Sequence, residues 1–298
     1  MKFRCGYVTI LGRPNVGKST LLNKLVGQKI SIVSPKPQTT RNSITGILNG
    51  VDYQIIFIDT PGIHKSKNSL DRYMEKSIQR SIEGVDLILY MLDGTKRFFA
   101  EDIQEIQEYA NGNTAVLVLV SKVDATTFEK LYPELNKLNS LEKVKDIIPF
   151  SSFNGKNLDV IKEKILDAMP EGPAFYPTDV VTDSTQNFLC SEIIREKSLW
   201  LLQEEIPHGI AVEIESFDEK EYIVKISATI YCEKDNHKRI IIGLNGGTLK
   251  KIGEQSRIAI EKMIEKKVFL ELWVKVKERW RDSDILTNNM GYNKKDLD

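Results

Sequence analysis

Two glycine-bearing turns with basic residues lie at opposite ends of the chain: "GRPNVGKS" from Gly12 to Ser19, and "KRIIIGLNGGTLKK" from Lys238 to Lys251. In the first, four residues separate Gly12 from Gly17, and Lys18 and Ser19 follow directly. A turn of this type, placed after a strand and opening a helix, curls its backbone N–H groups toward an anion. The helix N-terminus adds a partial positive charge. A polyphosphate fits the spacing. Lys18 reaches the terminal phosphates and Ser19 offers its hydroxyl to magnesium. Arg13, Pro14, Asn15 and Val16 complete the loop, and Thr20 continues the helix.

Further segments decide which nucleotide. "DTPG", Asp59, Thr60, Pro61 and Gly62, ends an apolar strand, with Ile63 after it. Asp59 can hold magnesium through a water, and the Gly62 N–H can meet a third phosphate. "PQTTR", Pro37 to Arg41, supplies two candidate magnesium ligands, of which Thr40 is favoured over Thr39. "SKVD", Ser121, Lys122, Val123 and Asp124, follows a buried strand, where a base-reading loop belongs. A carboxylate at Asp124 accepts both the N1–H and the exocyclic amine of guanine, and adenine offers no such pair. "SSF" begins at Ser151, and a backbone N–H there, Ser152 by preference, can meet the guanine carbonyl.

In this order and at successive strand ends, the set resembles the translation-factor-like GTPases. The resemblance implies GTP and GDP as ligands, magnesium as cofactor, and Lys18, Thr40 and Gly62 in the catalytic group. Two departures qualify it. Those proteins carry Asn, sometimes Thr, where Ser121 stands. Serine is shorter, so the tie from base loop to phosphate loop is expected to be lost, at roughly 0.5–1.5 kcal/mol. Ile63 occupies the place of a water-orienting Gln and can orient no water. In relatives with an apolar residue there, a phosphate-loop Asn helps hold potassium. Asn15 matches it, so slow intrinsic hydrolysis with a possible potassium dependence is expected.

These loops need a scaffold. "YVTILG", "YQIIFID", "DLILYMLD" and "TAVLVLVSK" are nearly continuous apolar runs, the mark of strands buried on both faces. Between them lie helical stretches such as "GKSTLLNKLVG", "AEDIQEIQEYANGN" and "NLDVIKEKILDAMP". The alternation predicts an α/β unit with a mostly parallel sheet over residues 1–170. "PEGPAFYP" contains three prolines and one glycine, and residues 171–182 read as a linker. Over 183–281 the order is helix, strand, strand, helix, helix, strand, with a first helix expected over about 186–205. Residues 282–298 read as a polar tail.

The second turn lies between the two adjacent helices of that unit. Gly243, Leu244, Asn245 and Gly246 form a Gly-x-x-Gly turn flanked by Lys238, Arg239, Lys250 and Lys251. From Lys238 to Arg281 there are 12 Lys and Arg against 5 Asp and Glu, a net of +7, whereas Asp183 to His237 carries a net of −7. The whole chain has zero formal net charge, so only this local field attracts a polyanion. A Gly-x-x-Gly turn in this element order clamps about four nucleotides of backbone in KH domains, here of type II. With "EIPHGIAVEIESF" and "LELWVKVKERWRD", the motifs from Lys2 to Asp282 resemble the bacterial Era GTPases. That resemblance implies a GTPase assisting small-subunit maturation. It implies binding of rRNA near its 3′ end on a pre-30S particle, a monomer, and peripheral contact with the inner membrane face. The family turn carries lysine inside or beside it, where Leu244 and Asn245 stand here, so some phosphate affinity is expected to be lost or moved to Lys250 and Lys251. Two competing readings are an RNA chaperone with a mainly structural nucleotide unit and an ATP-using assembly factor. Three scattered cysteines and the lack of a signal-like start point to a reducing, cytoplasmic setting.

Overall fold

The computed structural model describes residues 3–293 and 297. The chain forms two compact units. One comprises Met1–Ser31, Thr40–His64 and Ser77–Asp183, the other Ile32–Thr39, Lys65–Lys76 and Ser184–Asp298.

The first unit is built on strands β1 (Arg4–Gly12), β2 (Ile44–Asn49), β3 (Tyr53–Asp59), β4 (Leu87–Asp93), β5 (Ala115–Ser121) and β6 (Asp146–Pro149). Their order is β2-β3-β1-β4-β5-β6, with β2 antiparallel to β3 and the other pairs parallel. Helices α1 (Lys18–Val26), α3 (Ala100–Ala110), α4 (Phe128–Lys137) and α5 (Leu158–Ala168) lie between strands or follow the last of them, whereas α2 (Ser69–Arg80) belongs to the second unit as far as Lys76 and to the first from Ser77. Alternation explains the continuous apolar runs. Leu87, Leu89 and Met91 of β4 join Leu21, Leu22, Ile161 and Ile165 in one core. Ile88, Tyr90 and Leu92 join Ile78, Ile106 and Leu131 in the other. Both faces are covered, so both residue sets must be apolar. Parallel strands bring the ends of β1, β3, β5 and β6 to one edge, the usual ligand edge of such sheets.

Segment 171–182 is not a free linker but belongs to the first unit. Val181 accepts from the Ile47 backbone N–H at 2.8 Å, and Thr182 Oγ1 donates to the Thr45 carbonyl at 2.7 Å. Buried Gln54 accepts from the N–H groups of Phe175 and Tyr176 at 2.8 and 2.9 Å and donates to the Tyr176 carbonyl. The prolines do prevent regular structure, and the sheet edge satisfies the backbone instead.

The second unit holds α6 (Gln186–Leu201), β7 (Ala211–Glu219), β8 (Ile223–Cys232), α7 (Asp235–Ile242), α8 (Gly247–Ile264) and β9 (Lys267–Val276), in the predicted order. Helix α6 stops at Leu201, before the expected end near 205, and Thr185 caps its start by accepting from the Phe188 N–H. The sheet runs β7-β8-β9, with β8 antiparallel to β7 and parallel to β9. Its inner face packs Val224, Ile226, Val268 and Val274 against Ile194, Ile252 and Ile260. The expected polar tail is structured as far as Asn293. Ser283 caps α9 (Asp284–Asn289), and Met290 and Tyr292 are buried with Trp280, Leu70, Tyr73 and Met74. Met1 and Lys2 at the start of the chain, and residues 294–296 and 298 of the tail, lie outside the described residues.

Candidate functional site

The phosphate loop joins β1 to α1. Gly12 has φ 137° and Gly17 φ 104°. A Cβ on Gly12 would lie 2.4 Å from the Met91 carbonyl oxygen, so only glycine fits there. A Cβ on Gly62 would lie 2.7 Å from Pro14, so the turn after β3 passes tightly against the loop. The Ile63 N–H donates to the Gly12 carbonyl at 3.1 Å, fixing the two turns together. Thr60 Oγ1 donates to the Ile10 carbonyl at 2.6 Å, and Pro61 is buried beside it.

Lys18 folds back into the loop and donates to the carbonyls of Gly12 and Arg13 at 2.8 and 3.2 Å. Burial lowers its pKa to about 8, with Asp59 opposing. Asp59 itself is fully buried. Burial pushes its pKa up, against hydrogen bonds from Ser19, Ser31 and Thr40 and the Lys18 charge. Its Oδ2 accepts from Ser19 Oγ at 2.6 Å and Ser31 Oγ at 2.7 Å, with Thr40 Oγ1 at 3.5 Å. Ser19 Oγ and Thr40 Oγ1 are 2.9 Å apart. Asp59 Oδ1 is buried with no hydrogen-bond partner. A buried, unsatisfied carboxylate oxygen beside two hydroxyls is a hard oxygen set that fits magnesium. Ser19 and Thr40 would hold the ion directly and Asp59 through water. Thr39 is engaged elsewhere: its hydroxyl donates to the Lys36 carbonyl at 2.6 Å and lies 2.7 Å from Ser34 Oγ.

Ser121 departs from expectation. Its hydroxyl lies 2.7 Å from the Val16 carbonyl and 3.0 Å from that of Leu92, positioned to donate to either. The base loop is therefore tied to the phosphate loop despite the shorter side chain, because β4 and β5 bring Ser121 close enough. Lys122, at φ 58°, adds a second tie through Nζ to the Asn15 carbonyl at 2.6 Å and to Asp93 at 2.7 Å. Burial raises the Asp93 pKa, but Lys122 and Thr95 outweigh it and hold the group below its ordinary value. Val123 and Asp124 form a short 3-10 turn that leaves Asp124 exposed. Ser151 is buried, and its Oγ accepts from the N–H groups of Phe153 and Asn154, which shapes the loop that carries Ser152. Asn15 is exposed at φ 64°, and Thr20 is half-buried on α1. Arg13 is engaged by α3 and the residue before it. Its Nε donates to Asp102 of α3 at 2.6 Å, and its guanidinium carbon lies 4.3 Å over the Phe99 ring.

In the second unit, Gly243 (φ 75°) and Gly246 (φ 75°) bracket the turn between α7 and α8. A Cβ on Gly243 would lie 2.3 Å from Thr248 Oγ1. Leu244 and Asn245 are exposed at the tip. A groove of about 420 Å³ opens beside this turn. It is lined by Gly246, Leu249, Lys250, Gly253, Arg257 and Leu272, with Glu254 and Leu270 completing the wall. Of the expected RNA-binding set, Gly246 and Lys250 line it. Lys238, Arg239, Lys251, Gly243, Leu244 and Asn245 do not, although the last three directly precede Gly246 in the chain. Leu249, Gly253 and Arg257, spaced four residues apart on α8, line the groove outside the expected set, as do Leu270 and Leu272 on β9. They are half-buried, and helical and strand spacing indicates such packing faces but not a groove.

A phosphate loop, a magnesium-type oxygen cluster and a base-reading loop on a mostly parallel sheet define a P-loop GTPase, here followed in the same chain by a KH fold. The family described as 50S ribosome-binding GTPase matches residues 7–122, and the KH domain family matches residues 205–281. GTPase Era of Caldanaerobacter subterraneus subsp. tengcongensis is 47% identical over 294 residues, covering 98% of this chain and 99% of that protein. GTPase Era of Clostridium beijerinckii is 47% identical over 291 residues, covering 97% and 98%. A point variant of Aquifex aeolicus Era bound to GDP·AlF4− superposes with TM-score 0.93 at 38% identity, covering 98% of this chain and 100% of that one. So does Era in complex with MgGDPNP and nucleotides 1506–1542 of 16S ribosomal RNA, with TM-score 0.93, 38% identity and coverage of 98% and 99%. The chain belongs to the Era family of GTPases. It is an enzyme that hydrolyses GTP, with guanine nucleotide and magnesium as its ligands.

Proposed function

We propose that this GTPase binds small-subunit rRNA near its 3′ end through the groove beside Gly246, and that its nucleotide state times maturation of the 30S subunit on a pre-30S particle. The observation that carries the reading is one chain holding both the Ser19, Thr40 and Asp59 cluster and a KH groove with a basic rim. The Era structure with 16S rRNA nucleotides supports the RNA class.

Each nucleotide-site residue has a role in this reading. Backbone N–H groups from Gly12 to Ser19, through Arg13, Pro14, Asn15, Val16 and Gly17, wrap the phosphates, with proline contributing shape and no donor. Lys18 exchanges its two carbonyl bonds for phosphate oxygens, which restores the charge that burial disfavours. Magnesium, when bound, neutralises charge on the terminal phosphates. The Gly62 N–H reads the third phosphate, Asp124 reads the guanine, and the Ser152 N–H meets its carbonyl. Asn15 is the residue through which potassium would act. Ile63 cannot orient water, so hydrolysis is slow.

The chaperone reading loses one of its two supports because Ser121 does tie the loops together. Among the described residues, no helix is long and apolar enough to cross a membrane. The scattered cysteines support a cytoplasmic location, peripheral contact with the inner membrane face rests on the family resemblance alone, and flotation with anionic vesicles tests the contact. The main test is crosslinking of the intact protein in cell extract together with GTP turnover with and without RNA. Recovery of small-subunit rRNA through residues 246–257, with measurable turnover, is expected. Recovery of unrelated RNA, or absence of turnover, overturns the reading.

A further inference from the structure

The segment Ile32–Thr39, which precedes the magnesium-facing Thr40, belongs to the second unit, and α6 grips it at both ends. At one end, Glu196 Oε1 accepts from the Val33 N–H at 3.0 Å, and Trp200 Nε1 donates to the Val33 carbonyl at 2.9 Å. Ile32 is buried in the core of that unit. At the other end, Arg195 Nη2 donates to the Thr39 carbonyl. Arg195 is 1% exposed. Its Nε and Nη2 also fork onto both carboxylate oxygens of Glu192 at 2.7 and 2.6 Å. Within the segment, Ser34, Lys36 and Thr39 brace one another through Ser34 Oγ and Thr39 Oγ1. Gln38 donates to Asp71 at 2.8 Å.

The Thr39 carbonyl and the Thr40 N–H lie in one planar peptide unit. A donor that fixes the carbonyl therefore fixes the direction in which the Thr40 Cα leaves, and so narrows the positions open to the hydroxyl that lies 2.9 Å from Ser19 Oγ. A buried Arg–Glu pair is weak evidence for stability by itself, since apolar side chains of similar volume often do as well. Its third hydrogen bond, to a carbonyl one residue from a metal-facing hydroxyl, is a geometric device that apolar side chains cannot supply.

We propose that Arg195, held in place by Glu192, is a positioning residue for GTP. It orients the Thr39–Thr40 peptide and thereby sets the preference for GTP over GDP in the presence of magnesium. The inference rests on the reading that Thr40 takes the metal.

The test uses the full chain, fluorescent GDP and a non-hydrolysable GTP analogue, with magnesium and with chelator. Thr40→Ala checks the underlying reading. If it leaves the analogue-to-GDP affinity ratio unchanged in magnesium, the Thr40 role fails and the proposal with it. The double variant Glu192→Leu/Arg195→Met removes both buried charges and keeps volume. It is expected to melt near the parent temperature and to bind GDP within about twofold. Its affinity for the analogue in magnesium should fall about tenfold, as expected for one charge-assisted hydrogen bond, and the deficit should vanish in chelator. Arg195→Lys keeps the charge and one donor and should lose only about threefold. If Thr40→Ala lowers the ratio while the double variant and Arg195→Lys both keep it, Arg195 is a structural residue only. Equal losses for GDP and analogue would likewise make Arg195 structural and overturn the positioning role.

Discussion

At the scale of single residues, the nucleotide site trades stability for binding. Burial lowers the Lys18 pKa to about 8, with the Asp59 charge opposing the shift. The unfolded chain keeps that proton up to an ordinary value near 10.5, and the folded chain only to about 8. Between those values stability rises with pH, and below about 8 the full penalty is present, roughly 3 kcal/mol before other losses. Lys18→Met removes the penalty together with the two hydrogen bonds to Gly12 and Arg13. The nucleotide-free variant should gain about 1–2 kcal/mol at pH 7 and lose nucleotide binding. In urea titrations at pH 7 and near pH 10, the advantage should shrink at the higher pH; an advantage independent of pH would rule out the charge as its cause. Asp59 is present in both proteins and largely drops out of the difference. Ser121 gives a second test. Ser121→Ala deletes the hydroxyl that meets Val16 and should weaken GDP binding about three- to tenfold by titration. Residue types at fixed spacing make most of this site legible, because phosphate and guanine each demand particular groups. Ser121 runs against its expectation because reach depends on strand separation as well as on side-chain length.

At the scale of elements, legibility follows periodicity. The runs of β1, β3, β4 and β5 announce themselves because both faces are covered. Strand β2, "ITGILN", does not: it is short, carries Gly46 and follows a polar loop. The segment "PEGPAFYP" reads as a linker from its prolines, and composition cannot show that Gln54 and the edge of β2 take up its backbone groups. The groove is illegible for a related reason. Leu249, Gly253 and Arg257 share a face of α8, and Leu270 and Leu272 share a face of β9, yet each pattern alone reads as ordinary packing. The distinction between groove and rim makes a prediction about lysines. Lys250 lines the groove and Lys251 does not. Lys250→Gln should lower the slope of log K against log salt for single-stranded RNA by about 0.7, the value of one phosphate contact on a single strand. Lys251→Gln should change it less. Equal changes for both would mean that the backbone runs along the outer lysine stripe.

At the scale of the whole molecule, order along the chain and membership of the compact units do not coincide. Residues 32–39 and 65–76 fall early in the sequence but belong to the unit formed by the last third of the chain. They flank Thr40 and Gly62, the residues expected to sense the third phosphate. Leu70, Tyr73 and Met74 are buried with Ala211, Trp280, Met290 and Tyr292 in one apolar cluster, and Ile32 joins the core around α6. Ser69 and Arg72 both meet Asp284 of α9. Each buried apolar side chain contributes about 1.5–3 kcal/mol, so these four residues together outweigh the few kcal/mol that hold a local segment closed. A chain ending at Asp183 would keep the sheet cores of its own unit but leave those side chains without partners. Its far-ultraviolet circular dichroism should match that expected for the six-stranded unit, and GDP should still bind. Trypsin should cut at Lys65, Lys67 and Arg72, and thermolysin before Val33, at least about tenfold faster than in the full chain, because cleavage follows the population of the open segment. Preference for the GTP analogue over GDP should fall at the same time, since Thr40 would hang from an untethered loop. Full protection of these sites in the shortened chain would mean that the two segments hold their conformation without the C-terminal residues, and the nucleotide-sensing loops would then be independent of the RNA-binding fold.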